Sequence, residues 1–472
     1  MKILKECNKK TLGELKSYLD RYEKDGLKLR PVKFLISRPV KSGMLYYNTL
    51  TEGLIYLNDA EAFPEAGSEI SSFPPELFET GFMVPEDFDE FAFVDDIRYF
   101  EELKNSLKTP YRLFYVYPTT GCNARCFYCF EEGIPVRKMS TETAEKTAAF
   151  IIRNAGNSPV RIFFFGGEPT TEPAVIDFIC ERLNMENVKF TSVFKTNGYL
   201  LSEEKLKIMA EKYHTALIQI PIDGTEESYN KTKAYVNTKP GESAFKKVLS
   251  NIGHALSSGI DVDIRLNIGL HNAKEVPDIL KTLVSSYGKY PSFGIFPQVL
   301  NEGGKEFYTE EERTLLFRIQ KESYRYLLDH GVRFGQNRFR LPEFKRNSCM
   351  ADSPECIGIT PEGLLSKCPE NIHHDKFCGS VYDTGECAEL NTGDTPEKYM
   401  GYTASDFKNN ADYFSIKKER TECGNCAFYP SCVILANCIG RQNPCNDAHK
   451  DFRLWKTEEC MDYLFRMSES EN

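Results

Sequence analysis

The chain has 472 residues, 41% of them hydrophobic with 33 Phe and 25 Tyr, which is enough for roughly two to four domains with sizeable cores. A net charge of −10 argues against nucleic acid as the main partner, because phosphate binding needs clustered Lys and Arg. No run of 18 apolar residues is present and the opening MKILKECNKK lacks the apolar core of a secretory signal, so a cytoplasmic protein without a membrane span is expected.

Residues 1–108 read as a first unit. A helix-like stretch at 12–24 precedes strand-like runs at 32–37, 44–48 and 53–57, and ELFETGFMVPEDFDEFAF leads into a helix near 90–107. A small antiparallel α+β domain is expected. It serves either as a capping subdomain or as a module that captures an extended peptide by strand addition at its sheet edge.

Residues 109–300 alternate strand-like runs with helical patterns. The strands fall at 113–117, 160–165, 188–195, 216–222, 262–267 and 293–297, and the helices near 140–155, 172–184, 202–213, 243–257 and 273–286. Six β–α repeats predict an α/β fold, a parallel sheet curved into a partial (β/α)6 TIM-like barrel whose chemistry gathers at the C-terminal strand ends. The run TGCNARCFYCFEEG follows the first strand and carries Cys122, Cys126 and Cys129 with the spacing C-x3-C-x2-C. Three thiolates suit an iron–sulfur cubane and leave its fourth iron free for a small molecule. A zinc site lacking one ligand is the alternative, although structural zinc takes four ligands and no His lies within ten residues of the loop.

Other strand ends carry further candidates. Strand two runs into Gly166-Gly167-Glu168-Pro169, where paired glycines admit close backbone approach and Glu168 adds a carboxylate able to face an ammonium group. Strand three ends in Thr196-Asn197-Gly198, and strand four in Ile220-Pro221-Ile222-Asp223-Gly224. On strand five Arg265 and Asn267 alternate with apolar neighbours and so share a face; Arg265 either points inward to pair with a carboxylate or lies exposed on the rim.

Residues 301–345 read as a charged helical connector, from the amphipathic spacing of YTEEERTLLFRIQKESYRYLLDHG. Residues 346–472 are cysteine-rich. Cys349, Cys356 and Cys368 come first, with Gly363 permitting a tight turn before Cys368; then follow Cys423-x2-Cys426-x5-Cys432-x5-Cys438, Cys445 and Cys460. Sixteen cysteines without a secretory signal point to metal or cluster ligation, and to a reducing or anaerobic setting, rather than to disulfides. Two four-thiolate zinc sites remain the alternative for this half. Cys180, within VIDFICERL, reads as core; Cys7, Cys378 and Cys387 fit no cluster, and His373 and His374 read as loop residues.

The cysteine loop, with Tyr128 just before its third cysteine, and the GGEP and TNG turns resemble the radical S-adenosylmethionine (SAM) superfamily. The resemblance implies a 4Fe–4S cluster on Cys122, Cys126 and Cys129 whose unique iron chelates the amino and carboxylate groups of SAM. Tyr128 would lie beside the adenine, and Gly166, Gly167, Glu168 and Pro169 would bind the methionine amine. Thr196 and Asn197 would approach the ribose and carboxylate, with Arg265 on the carboxylate. Pro221 departs from the pattern, since relatives carry a Ser two places before the Asp. The C-terminal half resembles the SPASM extension, which implies one auxiliary cluster on Cys349, Cys356, Cys368 and Cys438. A second would sit on Cys423, Cys426, Cys432 and Cys445, with Cys460 as the other candidate for the last ligand; relatives usually have x3 where this chain has x5 before Cys438.

The N-terminal layout resembles the peptide-recognition element of enzymes that modify ribosomally made peptides. Together these resemblances imply a peptide maturase with three 4Fe–4S clusters. It would cleave SAM to a 5′-deoxyadenosyl radical, which removes hydrogen from a substrate carbon. The implied partners are a precursor peptide with a leader and a reductant such as flavodoxin or ferredoxin. The leading product is a Cys thioether crosslink. A carbon–carbon crosslink comes next, then formylglycine as made by anaerobic sulfatase-type maturases. A non-enzymatic iron–sulfur electron carrier or a zinc scaffold stands outside that class, and a carrier would need every iron to have a protein ligand.

Overall fold

The computed structural model of the protein describes residues 1–23, 26–105, 111–236, 238–300, 308–335, 339–346, 355–368, 377, 379–382, 426–432 and 447–470. The N-terminal part contains β1 (Lys2–Lys5), α1 (Lys9–Leu19), β2 (Lys28–Pro31), β3 (Leu35–Val40), β4 (Gly43–Asn48), β5 (Leu54–Asn58), β6 (Ser68–Glu69), α2 (Glu76–Glu79), β7 (Met83–Pro85) and α3 (Glu90–Asn105). Two antiparallel sheets stand where one was expected, ordered β1-β5-β4-β3 and β6-β2-β7. The unforeseen strands are two to four residues long, too short for an alternating pattern to show. Asn8 caps α1 by accepting from the backbone N–H groups of Lys10 and Thr11. Fully buried Glu90 ties β2 to α3, accepting from Arg30 Nη2 at 2.9 Å and from the Lys33 N–H at 3.0 Å.

The central sheet is built from β8 (Leu113–Val116), β9 (Val160–Phe164), β10 (Phe190–Lys195), β11 (Thr215–Ile222), β12 (Asp261–Ile268) and β13 (Phe293–Val299). These six strands are parallel and adjacent in chain order, as the β–α repeats predicted. Their connections are α4 (Thr141–Ala155), α5 (Pro173–Met185), α6 (Glu203–Glu211), α7 (Glu226–Lys233) with α8 (Ala244–Ser257), and α9 (Val276–Tyr287). Ser140, Ser202 and Ser243 cap α4, α6 and α8 with their hydroxyls. Alternation along each strand separates two apolar layers. Phe114, Val116, Ile162, Phe164, Ile264 and Leu266 join the core packed with the helices, whereas Tyr115, Tyr117, Phe163 and Val193 cluster separately. Helix α7 was missed in the sequence because EESYNKTK presents no apolar stripe.

The sheet does not end at β8. β14 (Cys356–Ile359) pairs parallel with it, setting Cys356 opposite Leu113, and β15 (Leu364–Ser366) and β16 (Gly379–Ser380) follow antiparallel. The cysteine-rich segment therefore begins as an extension of the barrel sheet, across the boundary expected near residue 345. Helix α10 (Glu310–Asp329), in the expected connector, starts with a capping box between Thr309 and Glu312. The last helix, α11 (Asp447–Ser470), returns to the N-terminal sheet. Its Cys460, Met461 and Phe465 pack with Ile36, Leu45, Tyr47 and Leu54, and Asp462 pairs with Arg38 at 3.0 Å. Among the described residues, no helix is long and apolar enough to cross a membrane.

Candidate cofactor site at the barrel mouth

The cysteine loop leaves β8 and is closed at its base by backbone contacts. Thr119 bridges to Lys138, the Thr120 N–H donates to the Arg137 carbonyl at 3.0 Å, and the Thr119 and Thr120 hydroxyls donate to the carbonyls of Arg137 and Pro135, each at 2.8 Å. Cys122, Cys126 and Cys129 are all partly buried along this loop. Burial pushes the Cys122 thiol up to about 12 and also raises those of Cys126 and Cys129, so the thiolate form waits on a compensating cation. Among the described residues, no three His, Cys, Asp or Glu side chains converge on a point fit for a single ion.

The glycine pair explains how the second strand end docks against this loop. The Gly167 N–H donates to the Thr119 carbonyl at 3.1 Å and the Glu168 N–H to the Gly121 carbonyl at 2.8 Å. A Cβ on Gly167 would lie 2.2 Å from the Gly121 oxygen, and one on Gly166, at φ +116°, would lie 2.4 Å from the Thr119 oxygen. Both obstacles are backbone atoms that no side-chain rotation relieves. Gly167→Ala is therefore expected to displace the stem of the cysteine loop, destabilise the fold by about 3 kcal/mol, and strip iron from the loop. Thermal unfolding and iron analysis check this; wild-type values for both would remove the steric argument.

Glu168 sits at 1% exposure in the wall of the site. Its carboxylate accepts from the Thr170 N–H at 3.1 Å, the Thr170 hydroxyl at 2.6 Å, the Thr196 hydroxyl at 2.7 Å and the Asn197 N–H at 2.7 Å. Burial raises its pKa, and these donors work in the opposite direction. Glu168 thus stitches the turn after β9 to the turn after β10, with Pro169 opening the short helical turn that follows. Asn197 continues the chain of contacts, donating from Nδ2 to Asn123 Oδ1 at 2.7 Å beside Cys122. The GGEP and TNG turns and the cysteine loop are therefore brought together, as their places at strand ends implied.

The other side of the loop rests on Tyr128, Asp223 and Asn267, together with Lys233, which the sequence did not single out for the site. Tyr128 donates its hydroxyl to Asp223 Oδ1 at 2.7 Å, and Asn267 Nδ2 donates to the same oxygen at 2.6 Å. Lys233 reaches both partners, with Nζ 2.9 Å from the Tyr128 hydroxyl and 2.7 Å from Asp223 Oδ2. Arg265, two residues before Asn267 on β12, is partly buried; its Nε and the Asn123 Nδ2 have no hydrogen-bond partner among the described residues. Pro221 stands opposite Arg265 in the β11–β12 register. Lys195, at the end of β10, lies over the rings of Phe165 and Tyr115, at 4.9 and 5.6 Å from their centroids. Phe127 and Phe130, at 48% and 44% exposure, form an apolar rim.

The second cysteine group is only partly within the described residues. Cys349, Cys378, Cys387, Cys423, Cys438, Cys445, His373 and His374 lie outside them. Cys356 is buried beside Tyr115 and Tyr117, and Cys368 is partly buried two residues after β15. Cys426 and Cys432 flank a short helical turn at Tyr429–Ser431. Cys426 packs against the apolar cluster that includes Cys460, whose thiol burial raises to about 12. Cys180 is core, as its apolar helix predicted.

The profile of the radical SAM superfamily matches residues 116–283, the span from the end of β8 into α9. The cysteine-type anaerobic sulfatase-maturating enzyme of Clostridium novyi is 25% identical over 175 residues, 34% of this chain and 45% of its own. The radical SAM cyclopropyl synthase TigE of Paramaledivibacter caminithermalis is 27% identical over 206 residues, covering 39% and 41%. The chain thus spans about half the length of the curated relatives it matches, or less. Native anSMEcpe, solved with bound AdoMet and Cp18Cys peptide, superposes with a TM-score of 0.54 at 17% identity, over 76% of this chain and 100% of that one. The fold is shared on that evidence. The three-thiol loop, its glycine-lined stem and the unpartnered buried donors beside it fit the 4Fe–4S cluster and SAM that such a domain implies. Residues 116–283 are a radical SAM domain, homologous to that of the anaerobic sulfatase maturases.

Proposed function

We propose that the protein is a radical SAM peptide maturase that oxidatively crosslinks a ribosomally made precursor, with Cys thioether bonds as the leading product. The supporting observation is that the strand leading into the cysteine loop and a second cysteine-bearing segment share one sheet, Cys356 of β14 lying opposite Leu113 at the start of β8. Chemistry at the first group would then have an electron acceptor or thiolate site built against the same barrel. A cluster on Cys122, Cys126 and Cys129 with SAM supplies one-electron cleavage to a 5′-deoxyadenosyl radical. Around it, the Gly166 and Gly167 backbone, Glu168, Pro169, Thr196, Asn197, Tyr128 and Arg265 form the SAM pocket in this reading. Auxiliary clusters are assigned to Cys349, Cys356, Cys368 and Cys438, and to Cys423, Cys426, Cys432 and Cys445. Cys460 remains the other candidate for the last position, since it shares an apolar cluster with Cys426. The N-terminal sheets offer edges to a leader peptide.

Anaerobic protein given dithionite and SAM is expected to release 5′-deoxyadenosine. A Cys-containing peptide co-expressed with it should lose two hydrogens per crosslink by mass spectrometry. Methyl gain, or an unchanged peptide mass across candidate precursors, would remove the crosslinking assignment. The match to a cysteine-type sulfatase-maturating enzyme supports a second reading, oxidation of Cys or Ser to formylglycine in a protein substrate; a product aldehyde detected with hydrazide reagents distinguishes it.

A further inference from the structure

We propose that Lys233 is a positioning residue of the cofactor site: its buried ammonium fixes the Tyr128 ring and sets a positive charge against the cysteine loop at Tyr128. The inference rests on the radical SAM reading of the cysteine loop, because Tyr128 matters only if cluster and SAM bind there.

Lys233 is the last residue of α7, and its side chain is 2% exposed while that of Asp223 is 0% exposed. A lysine on a polar eight-residue helix would ordinarily point into water. Here Nζ reaches inward to Asp223 Oδ2 at 2.7 Å and to the Tyr128 hydroxyl at 2.9 Å, and it lies over the Tyr128 and Tyr229 rings at 5.6 and 5.8 Å. Asp223 Oδ1 accepts from both Tyr128 and Asn267, and the Asp223 backbone carbonyl accepts from Asn272 Nδ2 at 2.7 Å. A buried pair contacted by this many neighbours holds them in one geometry rather than adding much stability.

The backbone of the same residue grips the loop as well. The Arg125 N–H donates to the Lys233 carbonyl at 2.8 Å, and the Val236 N–H donates to the Asn123 carbonyl at 2.8 Å. Ala234, in the left-handed region at φ 42°, ends α7 and turns the chain onto the loop. Burial opposes the ammonium charge, but the Asp223 carboxylate at 2.7 Å outweighs it and lifts the Lys233 pKa well above its ordinary value. A cluster bound to thiolates gains negative charge on reduction, so a fixed cation against the loop that would hold it favours the reduced form.

The test uses full-length protein reconstituted anaerobically, with EPR-monitored reductive titration of the signal that changes on SAM addition, and SAM binding measured in parallel. Lys233→Met is expected to keep its iron, shift that midpoint to more negative potential, and bind SAM about tenfold more weakly. Lys233→Arg should restore both. The double variant Asp223→Asn/Lys233→Met avoids a stranded carboxylate and should still show the negative shift. An unchanged midpoint and SAM affinity in either Met-bearing protein overturns the proposal, and so does loss of the cluster from both, which would reduce Lys233 to packing. A wild-type protein without any SAM-sensitive signal would instead overturn the radical SAM reading itself.

Discussion

Replacing Cys122, Cys126 and Cys129 together with alanine is expected to abolish 5′-deoxyadenosine formation and lower iron from about twelve to about eight atoms per chain. The fold should survive the change. The loop is shut by its own backbone, through Thr119, Thr120 and the Met139 N–H donating to the Pro118 carbonyl at 2.9 Å, and none of these contacts needs a thiol. The apolar core of the barrel lies on the helix side of the sheet and does not include the three cysteines. Melting of the apo forms of wild type and variant should therefore differ by less than about 1 kcal/mol. Undiminished iron in the variant, or zinc in place of iron in the wild type, would end the cluster assignment.

How much of this site the sequence disclosed depends on whether a residue's role is local or tertiary. The cysteine spacing, the glycine pair and TNG are short motifs at strand ends, and the strands themselves were legible because Ile162, Phe164, Ile264 and Leu266 alternate with residues of the other face. The reason for Gly167 was not legible, since the atom it must avoid belongs to Gly121, a residue on a different loop. Glu168 reads in sequence as a free carboxylate; only the fold brings Thr170, Thr196 and the Asn197 N–H to it. Lys233 was hidden because one cation in EESYNKTK looks like any solvated charge, and the acid that buries it is ten positions upstream at the end of β11. The nearest signal was IDG followed by a short polar helix, acidic in its first turn and basic in its last. β14 to β16 escaped notice for another reason: they are two to four residues long, and β14, which joins them to the sheet, pairs with a strand more than two hundred residues away.

Arg98→Met is expected to loosen the second cysteine segment while leaving the barrel site working. Arg98 sits on α3 of the N-terminal part at 4% exposure. Its Nη2 donates to the carbonyls of Tyr429, Pro430 and Cys432 at 3.0, 3.2 and 3.1 Å, and its Nε donates to the Lys345 carbonyl at 3.1 Å. The Tyr429 ring lies 5.1 Å from the guanidinium carbon, and its hydroxyl donates to Asp95 Oδ1 at 2.6 Å. One side chain thus collects the carbonyls between Cys426 and Cys432 and seats them on the N-terminal part. Methionine fills much of the same space but donates nothing, so several buried carbonyls lose their partner at about 1–3 kcal/mol each. Destabilisation of at least about 3 kcal/mol is the expected result, with faster proteolysis near residues 426–432 and loss of about four irons. SAM cleavage at Cys122, Cys126 and Cys129 should persist, because the hydrogen bonds of Arg98 run to Lys345 and the C-terminal segment and not to the cysteine loop. Unfolding curves, limited proteolysis and iron analysis of the one variant decide the matter. Wild-type stability and iron would show that the N-terminal part does not hold the cysteine segment, and would leave peptide capture as its remaining role.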